Sequence, residues 1–173
     1  MIMTFMDLAK KRFSVRKFSD KAIEQEKLEQ ILTVGNIAPT AKNLQPQRIY
    51  VLQSEEALSK LDSLTHCRYG AGTVLLFTYD SDEEWKNPLE KGVHSGVEDV
   101  SIVATHMMLQ ATELGLSTCW CNYFSNSKVE EAFNIPQSEI SVLIMPIGYA
   151  DEKAKPAPGH ESKKDIKEIV RFI

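Results

Sequence analysis

A short segment near the N-terminus places two guanidinium groups and a hydroxyl group at alternate positions. Arg12, Ser14 and Arg16 are spaced by two residues, so in an extended chain their side chains project to one side. Two guanidinium groups with a hydroxyl between them suit a phosphate plus another acceptor-rich group. Phe13 and Val15 would then face the core. Taken alone, the spacing favours a simpler interpretation, a solvated basic stretch after a helix.

A second candidate segment is the polar loop that runs from Ala38 to Gln47. Asn43 and Gln45 can each donate and accept hydrogen bonds, which suits the edge of a heterocycle. Pro39 and Pro46 make the loop stiff. On composition alone an ordinary surface loop explains this segment better, because Asn, Pro and Thr are common loop residues.

A third candidate segment, Ser117 to Phe124, reads as a strand that ends in Asn122 and Tyr123. Backbone amides and an aromatic ring at such an end could face a flat ligand. The simpler alternative is a core strand with Trp120 packed inside, and for Trp120 we favour that alternative.

The C-terminal region combines a basic pair with an apolar tail. Lys163 and Lys164 could complete an anion site, although lysine pairs are usually only solvated. Asp165 begins a tail that is too apolar for a free terminus, and we expect it to pack on a partner subunit. The apolar residues of this tail are Ile166, Ile169, Val170, Phe172 and Ile173.

Composition indicates one compact domain over residues 1–173, with 43% hydrophobic residues and a net charge of −4. The charge argues weakly against nucleic-acid binding. There is no apolar run long enough to span a membrane, and the N-terminus does not read as a signal peptide. We therefore expect a cytoplasmic protein. The cysteines, Cys67, Cys119 and Cys121, are predicted to be free thiols without a metal, and Cys119 and Cys121 are predicted to be small buried residues.

The hydrophobic pattern predicts helices and strands without strict alternation, which favours an α+β layer fold over a doubly wound sheet. No glycine-rich nucleotide loop follows a strand. His106 is predicted to be a satisfied core residue of the long central helix. The predicted helices are Phe5–Lys11, Ile23–Ile37, Ser54–Leu64, Val97–Leu114 and Ser125–Phe133, and the predicted strands are Arg48–Gln53, Thr73–Tyr79, Ser117–Phe124 and Ser141–Tyr149.

Taken together and in this order, the segments resemble the FMN-dependent nitroreductase family from Arg12 almost to the C-terminus. The family opens with Arg-x-Ser-x-Arg/Lys-x-Phe, which is Arg12 to Phe18 here. Its Ala-Pro-Ser/Thr-x-x-Asn-x-Gln-Pro loop matches Ala38 to Pro46. A buried helix then leads into Gly-Leu-Gly/Ser-Thr-Cys-Trp at Gly115 to Trp120, and Pro-x-Gly-Tyr follows at Pro146 to Tyr149. Each motif is moderately specific, and their order makes the resemblance strong.

The resemblance implies a three-layer fold with a central, mostly antiparallel sheet flanked by helices, and a homodimer whose C-terminal tail extends onto the partner. It also implies roles for individual residues. Arg12 and Ser14 look like contacts to the FMN phosphate and ribityl chain, and Arg16 like the basic residue near flavin N1. Asn122 and Tyr123 fall where the family presents backbone to N5, and Tyr123 replaces a frequent small residue. The implied contacts from the loop, typically from the other subunit, are Pro39, Thr40, Ala41, Asn43 and Gln45.

The resemblance further implies that Lys163 or Lys164 reaches the phosphate and that a stretch from His66 to Gly70 holds another flavin contact. NADH or NADPH would reduce FMN, and a nitroaromatic, quinone or similar small conjugated acceptor would then reoxidise it. No side chain need act as a nucleophile or base. The alternatives are a flavin-binding or sensing protein with little turnover, and a sister activity such as enone reduction or dehalogenation. A non-flavin α+β module with chance motif matches is a further alternative.

Overall fold

The structure, a computed structural model, describes residues 4–173 and has the mixed α+β architecture that the hydrophobic pattern predicts. The helices are α1 (Phe5–Lys11), α2 (Gln25–Ile37), α3 (Glu55–Asp62), α4 (Gly96–Glu113), α5 (Asn126–Ala132) and α6 (Ile166–Ile169). The strands are β1 (Gln47–Leu52), β2 (Thr73–Asp80), β3 (Ser117–Thr118) and β4 (Glu139–Gly148).

The four strands form one antiparallel sheet in the order β1-β2-β4-β3, so β1 and β3 are its two edges. Side chains alternate between the faces of a strand, and both faces here are covered by helices. Phe77 packs with Met107 in the core under α2 and α4. Leu76 packs with Leu61 of α3 and Val129 of α5 in the core on the other face. The expected three-layer arrangement is therefore confirmed.

Helix α4 is the longest helix, and its sheet-facing residues are fully buried. Val100, Val103 and Met107 have no exposed surface, as the apolar spacing predicts. The prediction for His106 was wrong: its side chain is exposed, and Nδ1 lies 2.8 Å from the carbonyl oxygen of Ile102. His106 lies on the face of α4 that turns away from the sheet, where Ile102 is also exposed.

The third strand is much shorter than predicted, because regular pairing ends at Thr118. Cys119 stands opposite Pro146, and its N–H donates to the Pro146 carbonyl at 3.2 Å. Proline has no N–H with which to return the second bond of the pair. Pairing resumes only as an isolated bridge between Cys121 and Ile144. The segment continues toward Asn122 in irregular conformation.

The remaining helix and strand boundaries agree with the sequence to within about two residues, the usual uncertainty of helix ends. Helix α2 begins at Gln25 rather than Ile23, because Glu24 is its extended N-cap. Ser54 caps α3 by accepting a hydrogen bond from the Ala57 N–H at 3.1 Å. Gly115 follows α4 with φ of 78°, a left-handed conformation that glycine adopts without strain.

The first residue of α4 leaves no space for a side chain. A Cβ on Gly96 would lie 2.3 Å from two ring carbons of Tyr79 and 2.6 Å from Glu84 Oε2. The side chains of Tyr79 and Glu84 are both buried and cannot easily move aside. We therefore expect Gly96→Ala to lower the free energy of unfolding by about 1–3 kcal/mol. Denaturant titration measures this loss. Gly72→Ala is the matched control, since nothing lies within 4 Å of its Cβ, and an equal loss in both variants would contradict the packing argument.

Candidate functional site

The segment from Arg12 to Phe18 lies along the β3 edge of the sheet in extended conformation. Ser14 forms an isolated parallel bridge with Thr118, and the Val15 N–H donates to the Thr118 carbonyl at 3.0 Å. Val15 is 1% exposed and packs in a small core cluster, whereas Arg16 is exposed. Val15 thus faces the core as predicted, while Arg12, Phe13 and Ser14 are half-buried; the common orientation of residues 12, 14 and 16 stays a prediction. We call residues 12–16 the basic segment.

Hydrogen bonds fix the chain just after the basic segment against two other parts of the chain. The Phe18 N–H donates to the Tyr69 carbonyl at 3.3 Å, and the Ser19 N–H donates to the Tyr149 carbonyl at 2.9 Å. Lys17 Nζ lies 3.2 Å from the Asp151 carboxylate. The chain directly after the basic segment thus contacts both the stretch that contains Tyr69 and the residues at the end of β4. The sequence alone does not reveal these contacts.

The three cysteines are free, as predicted, and Cys119 and Cys121 are buried as predicted; Cys67 is buried too. The Sγ atoms of Cys119 and Cys121 are 3.6 Å apart. The hydrogen bond from the Cys121 thiol, together with the positive charge of Arg16, lowers the pKa of the Cys119 thiol. The charges of Arg16 and Arg12 thus add to the larger effect of the Cys121 hydrogen bond, and an anion bound beside these residues would be favoured by the same charges.

Side-chain hydrogen bonds fix the end of the Cys119–Tyr123 stretch, where Asn122 and Tyr123 lie. The Trp120 indole Nε1 donates to Asn122 Oδ1 at 2.8 Å, and Asn122 Nδ2 donates to the Val142 carbonyl at 2.7 Å. Trp120 is half-buried against the α2–α4 core, in agreement with the packing predicted for it. Asn122 is thus held beside β4, while the Tyr123 side chain is 74% exposed.

The basic pair of the tail lies on a turn that returns toward the basic segment. Lys163 Nζ donates to the His160 carbonyl, and the His160 ring contacts Phe13 edge-on with its centroid 6.1 Å away. Lys163 and Lys164 are both exposed. His160 thus lies near the N-terminal end of the basic segment and is contacted by Lys163, and the role that the resemblance implies for one of the lysines stays a prediction.

The loop from Pro39 to Gln45 is preorganised by a buried carboxylate at the start of α4. The Ala41 N–H donates to Asp99 Oδ1 at 2.7 Å, and the Ser95 hydroxyl donates to Asp99 Oδ2 at 2.6 Å. Asp99 is only 2% exposed. The Gln45 N–H donates to Thr40 Oγ1 at 3.1 Å. This network holds the loop in one conformation, in which Asn43 has a positive φ of 55°.

The loop and the basic segment lie at opposite corners of one protein chain. The loop leads into β1 at one edge of the sheet, and the basic segment adjoins β3 at the other. The Pro39 loop is hydrogen-bonded to Asp99 near the start of α4. Arg12 lines a cavity together with Thr112, which lies near the end of α4. These two helix positions are roughly 20 Å apart at a rise of 1.5 Å per residue. One chain therefore does not bring the predicted contacts together.

Among residues 4–173 there is no group of three or more His, Cys, Asp or Glu side chains that could hold a metal ion. Within the same residues, no helix is long and apolar enough to cross a membrane.

The arrangement of fold and site agrees with a match to one protein family. The family model described as the nitroreductase family matches residues 9–69 and 68–149. A solved structure of a nitroreductase family protein from Clostridium difficile 630 is 40% identical, covers 98% of each chain and superposes with a TM-score of 0.91. The chain belongs to the nitroreductase family.

Two further relatives bear on the chemistry of this family. An FMN-dependent nitroreductase from Clostridium difficile R20291 is 28% identical over 97% of this chain and 98% of its own, with a TM-score of 0.78. A protein from Methanothermobacter thermautotrophicus, provisionally named NADH dehydrogenase/NAD(P)H nitroreductase, is 28% identical over 159 residues, which is 87% of this chain and 79% of the relative.

Asp99 should be essential for the conformation of the Pro39–Gln45 loop. Asp99→Ala leaves the Ala41 N–H and the Ser95 hydroxyl without their acceptor, so the free energy of unfolding should fall by about 1–3 kcal/mol. Amide hydrogen exchange at Ala41 should accelerate in the same variant. Glu98→Ala, at an exposed neighbouring position of the helix, should change neither quantity comparably. Equal effects of the two substitutions would argue against an anchoring role for Asp99.

Proposed function

We propose that this protein is an FMN-dependent oxidoreductase that uses NADH or NADPH to reduce nitroaromatics, quinones or similar small conjugated acceptors in a ping-pong reaction. The observation that carries the proposal is the pairing of the basic segment with Thr118 of β3, from which the Cys119–Tyr123 stretch continues along the same sheet edge. Membership of the nitroreductase family and the FMN-dependent relative support it.

The residues along this edge offer the charge and the hydrogen-bonding groups that a flavin mononucleotide requires. Arg12 lines a cavity of about 160 Å³ with Gly115, Leu116 and Ser117, so its guanidinium group can reach a phosphate there. Ser14 is half-buried beside it, and Arg16 is exposed and free to turn toward a ligand.

Each part of the chain then has a distinct role toward the cofactor. FMN, when bound, supplies the acceptance and release of hydride. Arg12 and Ser14 hold its phosphate and ribityl chain, with Lys163 or Lys164 as a second cation. Arg16 places a positive charge near N1 of the ring, where it stabilises negative charge. Asn122 and Tyr123 present backbone to the N5 edge.

We further propose that the site is completed by a second copy of the chain. The loop residues Pro39, Thr40, Ala41, Asn43 and Gln45 lie at the far corner of the same chain, so only a partner can bring them to the basic segment. Large apolar side chains are exposed on the surface that such a partner would cover, and their exposure requires an explanation. They include Phe5 at 71%, Met6 at 61%, Val97 at 49%, Ile102 at 39% and, in the tail, Phe172 at 99%.

Loss of the Arg12 guanidinium group should weaken cofactor retention. A charge-assisted hydrogen bond is worth roughly 1.5–3 kcal/mol, so Arg12→Ala should raise the Kd for FMN roughly 10- to 150-fold. Fluorescence titration of the apoprotein measures this change. Lys11→Ala removes an adjacent exposed charge and should leave the Kd within about twofold, because exposed charges are largely screened. Equal affinities in wild type and Arg12→Ala would refute the phosphate assignment.

A charge in the exposed apolar face of α4 should prevent dimer formation. Ile102→Arg buries an unpaired guanidinium group in the proposed interface, and we expect a monomer that no longer retains FMN. Sedimentation velocity gives the oligomeric state, and absorbance gives the flavin content. Ser59→Arg, exposed on α3 at the opposite face of the sheet, is the control and should remain dimeric. A flavin-loaded Ile102→Arg monomer would rule out the composite site.

The activity is tested by adding each reduced nicotinamide to the FMN-loaded protein under argon, and then menadione or a nitroaromatic. We expect the yellow absorbance to bleach with NADH or NADPH and to return when the acceptor is added. Steady-state nicotinamide oxidation should then follow parallel-line, ping-pong kinetics. A protein that retains FMN but transfers no electrons to any acceptor would instead be a flavin-binding or sensing protein.

A further inference from the structure

Two aromatic rings from distant parts of the chain meet on the surface beside Asn122. The rings of His66 and Tyr123 have centroids 5.3 Å apart at an interplanar angle of 53°. Tyr69 contacts the other side of His66 edge-on, with a centroid distance of 6.2 Å. His66 and Tyr123 are both exposed, so little of this aromatic surface contributes to the hydrophobic core.

The backbone beneath the two rings is fixed, although the rings themselves are exposed. The Thr65 hydroxyl donates to the Tyr123 carbonyl at 2.7 Å and accepts from the Cys67 N–H at 3.2 Å. Thr65 and Cys67 are themselves buried. The stretch around His66 is therefore joined to the backbone of Tyr123 through the Thr65 hydroxyl. The two rings thus project from backbone segments that are held together.

The position of the ring pair relative to the basic segment follows from the same hydrogen bonds. Tyr69 is joined to Phe18 by a backbone bond of 3.3 Å, directly after the basic segment. Tyr123 follows Asn122, which we place at the reactive edge of the cofactor. The His66–Tyr123 pair therefore stands beside the place where a second substrate must approach.

We propose that His66 and Tyr123 form an aromatic wall that binds planar, conjugated acceptors and gives the enzyme a preference for them. This inference rests on the proposed function and names the acceptor class of the same site. Aromatic pairs favour offset or edge-to-face contact beyond their simple area burial. The Tyr123 hydroxyl and a ring N–H of His66 can also donate to the oxygens of a quinone or nitro group. Tyr69 supports His66 from behind and has no direct contact with the acceptor.

The test compares two acceptors that differ in their ability to stack. Menadione is a planar bicyclic quinone, whereas ferricyanide is an octahedral ion that offers no aromatic face. For each variant, kcat/KM is measured with both acceptors, and the FMN content per chain is measured by absorbance. Tyr123→Ala should lower the menadione-to-ferricyanide ratio by roughly three- to tenfold, the range expected for loss of one aromatic contact. His66→Ala should lower the ratio in the same direction, and Tyr123→Phe should retain most of it.

Each other outcome contradicts the inference in a recognisable way. An unchanged or higher ratio in Tyr123→Ala would show that the ring only obstructs the site or is covered by the partner subunit. Equal losses with both acceptors, together with a lower FMN content, would show that Tyr123 serves the cofactor alone. A wild-type protein that contains FMN and reduces ferricyanide and a nitroaromatic but not menadione would refute the aromatic wall and leave the nicotinamide-dependent flavin activity standing. A protein that binds no FMN would refute both.

Discussion

The distance between the two ends of α4 is the constraint on which the site depends. The helix is buried against the sheet and spans eighteen residues, and the two predicted halves of the cofactor site lie at its two ends. The sheet adds to this separation, because the basic segment and the Pro39 loop adjoin opposite edge strands. No rearrangement of a single loop closes such a gap. In this account the functional unit is therefore two chains, and the exposed apolar surface is the part of the fold that a partner must cover.

The rigidity of α4 comes from close packing and from acidic groups at its N-terminus. A Cβ on Gly35 would lie 2.6 Å from Met107 Sδ, which shows how closely α2 approaches α4. Glu84 Oε2 accepts a hydrogen bond from the Gly96 N–H at 2.9 Å and lies 2.6 Å from His94 Nδ1. Negative charge at this end complements the helix dipole. The same helix end holds the Pro39 loop through Asp99, so the loop that we propose to reach a partner is anchored to a closely packed helix.

Much of this fold could be predicted from the sequence, because hydrophobic periodicity and capping residues specify most of its helices and strands. The errors have local causes: Pro146 cannot return a hydrogen bond to Cys119, and the orientation of His106 depends on which face of α4 the sheet covers. The candidate residues of the site came from the resemblance, because spacing and composition alone favoured simpler interpretations. Their arrangement could not be predicted, since the positions of two loops at opposite corners depend on strand order. The contact between His66 and Tyr123 joins residues far apart in sequence, and no local pattern indicates it.

The central claim, that each cofactor site combines the basic segment of one chain with the loop of another, can be tested by mixing two defective chains. Arg12→Ala chains and Asn43→Ala/Gln45→Ala chains, carrying different tags, are co-expressed and the mixed dimers are purified by both tags. The account predicts that either variant alone retains little FMN, whereas mixed dimers recover one bound FMN per two chains, because one of their sites contains neither substitution. Mixed dimers that bind no more FMN than either parent would contradict a shared site.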